Sequence, residues 1–120
     1  MTSQGIVFYF KEKSGKIFVG LVNPGGTWGI LKGTRRSWIG MKEAAEEVLD
    51  VDWRKVPKYK QTPMTIIGGI RVYLADVGAS GSDARVFLEN AGVDFIYTWA
   101  GDERVDEESR WILGMVSEYM

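Results

Sequence analysis

Four carboxylates crowd into one short stretch, KEAAEEVLD: Glu43, Glu46, Glu47 and Asp50. At about 100° per residue they share one arc of a helix covering about Gly40 to Asp50. Met41, Ala44, Ala45, Val48 and Leu49 share the opposite, apolar arc. The pairs Glu43–Glu47 and Glu46–Asp50 are spaced i, i+4, where like charges repel and weaken a helix. A divalent cation would relieve that repulsion, because hard cations take carboxylate oxygens together with phosphate oxygens. Water and salt would relieve it as well, in which case this is the wet face of an ordinary amphipathic helix. Upstream stand Lys32, Gly33, Arg35 and Arg36. Arginine presents a planar fork that matches phosphate, and glycine lets a backbone come close to a ligand. The same charges, if solvated, would simply pair with the acidic helix.

The composition narrows the chemistry. The chain has 120 residues, with no histidine and no cysteine. Histidine triads, histidine zinc sites, thiol nucleophiles, thiolate metal sites and disulfides are all excluded. The serines have no histidine base to activate them. A metal bound here takes oxygen ligands, which points to Mg2+ or Mn2+. The net charge of −1 gives no global argument for nucleic acid or an anionic membrane as partner. No apolar run reaches membrane-spanning length, and the opening MTSQGIVFYF lacks the charged and apolar regions of a secretory leader. The expectation is a cytoplasmic protein without a membrane partner, built as a single domain over residues 1–120.

The elements that would position these residues follow from patterning. GIVFYF (Gly5 to Phe10) and IFVGLV (Ile17 to Val22) read as strands joined by the polar hairpin loop KEKSGK. NPGG breaks the chain, Thr27 to Leu31 is a short extended segment, and Lys32 to Ser37 is a basic loop leading to the acidic helix. Met64 to Val77 is strand-like, and Gly68-Gly69 makes it either one bulged strand or a hairpin. Ala84 to Gly92 reads as a short helix capped by Ser82 or Asp83 and stopped by Gly92. Val93 to Ala100 alternates as a strand, with Val93, Phe95, Tyr97 and Trp99 on one face. A last helix covers about Asp106 to Tyr119, with Ile112, Met115, Val116 and Tyr119 spaced to meet a core. Strands, helix, strands and helix in this order give a mixed sheet covered by helices.

The segment WGILKG (Trp28 to Gly33) resembles the tryptophan–x–x–proline–lysine–glycine stretch that enters the signature of Nudix hydrolases. AAEEVLDV (Ala44 to Val51) resembles the helix of that signature. The resemblance implies an α/β/α sandwich around a mixed sheet. It also implies a hydrolase that cleaves a diphosphate linkage in a nucleoside diphosphate-linked compound, with dinucleoside polyphosphates and capped RNA among the candidates. On this reading Glu47 and Asp50 hold catalytic Mg2+ or Mn2+, and Glu43 or Glu46 adds further oxygens. Asp102 or Glu103 supplies an extra acid from a distant loop, and Lys32, Gly33, Arg35 and Arg36 face phosphate. The sequence departs from the signature at Glu46, where arginine is usual, at Val51, where glutamate is usual, and at Leu31 and Trp53. Those departures leave a second expectation open: a catalytically inactive Nudix-like module that binds a nucleotide or a protein partner. A third is an unrelated α/β interaction domain with a solvated acidic helix.

Other features have two readings each. Trp28 and Tyr9, like Trp38 and Tyr73, can stack on a purine or fill a core. WRKVPKYK (Trp53 to Lys60) interleaves cations with aromatics, as a surface for RNA or as a solvated loop. PGGTWG lacks the spacing of a phosphate-binding loop and reads as a turn. The aromatic content is compatible with a homodimer, for which no heptad or long apolar stripe gives evidence.

Overall fold

The β-branched and aromatic run near the start of the chain forms the spine of the sheet. In the computed structural model, which describes residues 4–23, 26–33, 46, 49, 65–67, 70–77, 82–97 and 103–117, strand β1 covers Gln4–Lys11. Strand β2 (Ile17–Leu21) returns antiparallel, with Phe10 opposite Phe18 and Phe8 opposite Gly20. Strand β3 (Leu31–Gly33) pairs antiparallel with the first residues of β1, placing Lys32 opposite Gly5. Strand β4 (Thr65–Ile67) forms an antiparallel pair with β5 (Ile70–Asp76), and β5 runs parallel to β1. Strand β6 (Asp94–Ile96) pairs antiparallel with β2. The six strands lie in the order β4-β5-β1-β2-β6, with β3 also on β1. Because β5 already flanks residues 4–9 of β1, β3 shares with β2 the other edge of that strand.

The period of two along a strand sorts side chains onto two faces. Ile6, Phe8 and Phe10 of β1 join Tyr73, Ala75 and Val93 in one cluster. Val7 joins Val19, Leu21, Val72 and Leu74 in the other. Helix α1 (Ser82–Asn90) contributes Leu88 to the first face, where Leu49 also lies. Helix α2 (Glu107–Val116) contributes Ile112, Leu113 and Val116 to the second. Helical residues therefore cover both faces of a mixed sheet, and the protein is a small α/β domain. Burying each of these aliphatic side chains contributes on the order of 1.5–3 kcal/mol.

Within the segment expected to form the acidic helix, Glu46 and Leu49 are described, and both are helical. Leu49 is buried in the core and Glu46 is exposed, which matches the apolar and acidic arcs. Of the two readings of Met64 to Val77, the hairpin is correct, with Ile67 opposite Ile70. The helix expected from Ala84 begins at Ser82, so Ser82 and Asp83 are its first residues rather than its caps. Its end is as expected. Gly92 takes φ 101, and the Gly92 and Val93 N–H groups donate to the Glu89 and Leu88 carbonyls. These two bonds close the helix in the Schellman manner.

Three expectations need correction. Lys32 and Gly33 are strand residues, because backbone pairing with Gly5 and Gln4 carries β3 past Leu31. Strand β6 is three residues long, and Tyr97 already lies in a bend. Met115 is half exposed, because the buried arc of α2 is Ser109, Ile112, Leu113 and Val116, and Met115 falls beside Trp111 on the outer side. Tyr119 and Trp99 lie outside the described residues. No helix among the described residues is long and apolar enough to cross a membrane.

Candidate functional site

The extended segment after β2 does not end in a free loop. It is fastened to the start of α2. Val22 and Gly29 pair through both backbone hydrogen bonds, which brings Trp28 alongside Val105. The Asp106 N–H then donates to the Trp28 carbonyl at 2.9 Å. Asp106 is the N-cap of α2: its Oδ1 accepts from the Ser109 N–H at 2.7 Å. Aspartate suits this position because it satisfies an N–H that has no partner in the first helical turn.

The cap is also the anchor of a polar cluster. Ser109 Oγ donates to Asp106 Oδ2 at 2.9 Å and accepts from the Ile30 N–H at 3.0 Å. Lys32 Nζ lies 3.0 Å from Asp106 Oδ1 and 3.2 Å from Glu108 Oε1. Gly29 leaves the space for this: a Cβ there would collide with the Asp106 carboxylate and the Ser109 hydroxyl. Burial pushes the Asp106 carboxyl up, but the Ser109 N–H, the Lys32 ammonium and the Ser109 hydroxyl outweigh it. The net result is a carboxyl held below its ordinary value.

Lys32, expected to face phosphate, is thus held between two carboxylates at the head of α2. A phosphate reaching it would compete with Asp106 and Glu108. Gly33 is buried in β3 opposite Gln4. Arg35, Arg36, Glu43, Glu47, Asp50 and Asp102 lie outside the described residues. Glu103 is exposed in the turn that precedes Val105. Glu46 is helical and exposed, and Leu49, three residues on, is helical and buried. Among the described residues, no group of three or more acidic side chains gathers in a metal-holding arrangement. The candidate donors are all carboxylates, and such a set fits Mg2+ or Mn2+ by its chemistry.

The two aromatics expected to stack on a base both pack, partly buried, against the cluster under α2. Arg104 lies over the Trp28 ring, with Cζ 5.9 Å from the centroid, and its guanidinium reaches Asp94 at 3.4 Å. Burial, with a smaller contribution from the nearby Asp76 charge, raises the Tyr9 phenol above its ordinary value.

Sequence reasoning missed Asp106 and Glu108 as partners of Lys32, and Ser109 as the group that ties Asp106 to Ile30. The signal for the cap itself was present, since an aspartate followed by two glutamates marks a helix start. The contact with Lys32 spans 74 residues and has no local signature.

No family model matches the chain, and no curated protein matches it significantly.

Proposed function

We propose that this protein is a divergent Nudix-like hydrolase that cleaves a diphosphate linkage in a nucleoside diphosphate-linked compound. The observation that carries the proposal is that Leu49 is helical and buried while Glu46, also helical, is exposed. These residues follow a tryptophan-to-lysine-glycine stretch built into the sheet beside β1. A buried Leu49 and an exposed Glu46 agree with an acidic signature helix at these two positions. The mixed sheet with helical cover on both faces also supports the reading.

In this scheme Glu47 and Asp50 hold Mg2+ or Mn2+, with Glu43 and Glu46 adding outer oxygens. The bound cation would neutralise diphosphate charge and lower the pKa of a water. Arg35 and Arg36 would hold phosphate oxygens through their planar forks. Lys32 would join them by exchanging one of its carboxylate partners for phosphate. Asp102 or Glu103 would bring the additional acid.

A second reading is favoured by a separate observation. Lys32 already has two carboxylate partners, and Glu46 stands where the signature has an arginine. These features suit a catalytically inactive module on the same fold that binds a nucleotide or a protein. The test is phosphate release from a panel of nucleoside diphosphate compounds with Mg2+ or Mn2+, comparing the wild type with Glu47→Gln. Metal-dependent release lost in the variant supports the hydrolase. Folded wild type with no release above the variant sinks it, and calorimetric binding of the same panel then tests the inactive module.

A further inference from the structure

A row of aromatic rings crosses the sheet at the end of β1 remote from Lys32. Phe10 and Phe18 are register partners and stack, with centroids 4.9 Å apart and planes 4° from parallel. Phe18 meets Tyr97 at 5.7 Å, and Phe95 leans on Phe10 at 5.3 Å. Gly20 makes this possible, because a Cβ there would press on Val93 and on the Phe95 ring. The row grades outward: Phe10 is 6% exposed, Phe18 half-buried and Tyr97 48% exposed.

The hairpin at its open end is rich in lysine, and one lysine reaches the ring. Lys16 Nζ lies 5.3 Å from the Tyr97 centroid. The loop that carries it, residues 11–16, is exposed throughout and holds Lys11, Lys13 and Lys16 against a single acid, Glu12. Among the described residues none of these lysines forms an ion pair. At the closed end, Arg85 covers Phe10 at 4.3 Å and is paired with Glu89, so the free charge sits at the Tyr97 end. In a chain of net charge −1, this concentration of unpaired positive charge beside an exposed ring is local.

We propose that this surface binds single-stranded nucleic acid. A base stacks beside the exposed Tyr97 ring and the half-buried Phe18, and the adjoining phosphates meet Lys11, Lys13 and Lys16. Stacking on an aromatic platform needs a free base face, which a duplex does not offer. The lysines are too few for tight binding to charge alone. The surface lies about 17 Å along β1 from the Gly5–Lys32 pair, given roughly 3.3 Å per strand residue. It is set apart from Lys32, and the two proposals rest on different residues.

The experiment is fluorescence anisotropy of the full chain with a labelled ten-nucleotide oligonucleotide over a salt series. Binding is expected with a log–log salt slope of about −2, as for three phosphates neutralised on a single strand. Tyr97→Leu and the triple variant Lys11→Gln/Lys13→Gln/Lys16→Gln should each weaken it at least tenfold, and Tyr97→Trp should restore it. These residues are exposed, and circular dichroism checks that each variant is folded. Equal affinity for an abasic strand or for polyglutamate would overturn the proposal, since charge alone would then account for binding. Absence of binding by the folded wild type would overturn it too, as would binding that survives the triple substitution.

Discussion

Gly29 lies so close to Asp106 that the space a Cβ would need is occupied by the carboxylate and by the Ser109 hydroxyl beside it. The contact explains why a glycine interrupts an otherwise bulky stretch, Trp28 to Leu31. Gly29→Ala forces the cap apart and should cost about 1–3 kcal/mol, the usual penalty for overpacking a tight site. Gly114 is the control: it is helical and exposed, and a Cβ there meets nothing within 4 Å. Gly114→Ala should stabilise by about 0.5–1 kcal/mol, since glycine is a poor helix former. Urea midpoints of the two variants should move in opposite directions. A neutral Gly29→Ala would mean that the segment and α2 are not in contact.

Asp106 both caps α2 and receives Lys32, and two substitutions separate those roles. Asparagine caps a helix about as well as aspartate but carries no charge for Lys32. Asp106→Ala removes both and should destabilise by about 1–2 kcal/mol. Asp106→Asn should lie between alanine and wild type, because a partly exposed ion pair contributes under about 1 kcal/mol. Chemical denaturation gives the order. Asparagine as damaging as alanine would make the charge, not the cap, the main contribution.

The same carboxyl sets a pH dependence. Its folded pKa lies below the ordinary value of 3.8, so folding favours the ionised form. Its stabilising contribution is complete above that ordinary value and fades as the pH falls through the lower folded value. Wild type and Asp106→Asn should therefore differ most near neutral pH and converge in strong acid. Thermal denaturation from pH 7 to pH 2 follows the difference. A gap that widens as the pH falls would reverse the assignment.

The strands were legible because β1 is a run of β-branched and aromatic residues and β5 a largely apolar run, both buried along most of their length. The Schellman end of α1 was legible because Gly92 alone can take the left-handed turn at no steric cost. Met115 was misread because Ile112, Met115 and Val116 lie near a helical spacing, and only the neighbouring sheet decides which arc is inward. The Lys32 cluster was illegible for another reason. A lysine before two arginines looks like part of a phosphate loop, and nothing local tells that β3 continues through it or that residue 106 will arrive beside it. The aromatic row was half visible: Phe95 and Tyr97 were assigned to one face, but the meeting of Phe95 with Phe10 and of Tyr97 with Phe18 depends on the strand registers.

Leu49 and Glu46 provide the sharpest test of how the acidic segment sits. Leu49 is 5% exposed in the cluster of Phe8 and Leu88, while Glu46, also helical, is exposed. Leu49→Ala should cost about 2–5 kcal/mol, the range for emptying a buried leucine site. Glu46→Ala should stay within about 0.5 kcal/mol, since exposed substitutions away from caps and partners rarely do more. Paired denaturation curves measure both. If Leu49→Ala were as mild as Glu46→Ala, the helix would not be docked on the sheet. The carboxylates would then have no fixed direction in which to hold a cation, and the diphosphate reading would fall with it.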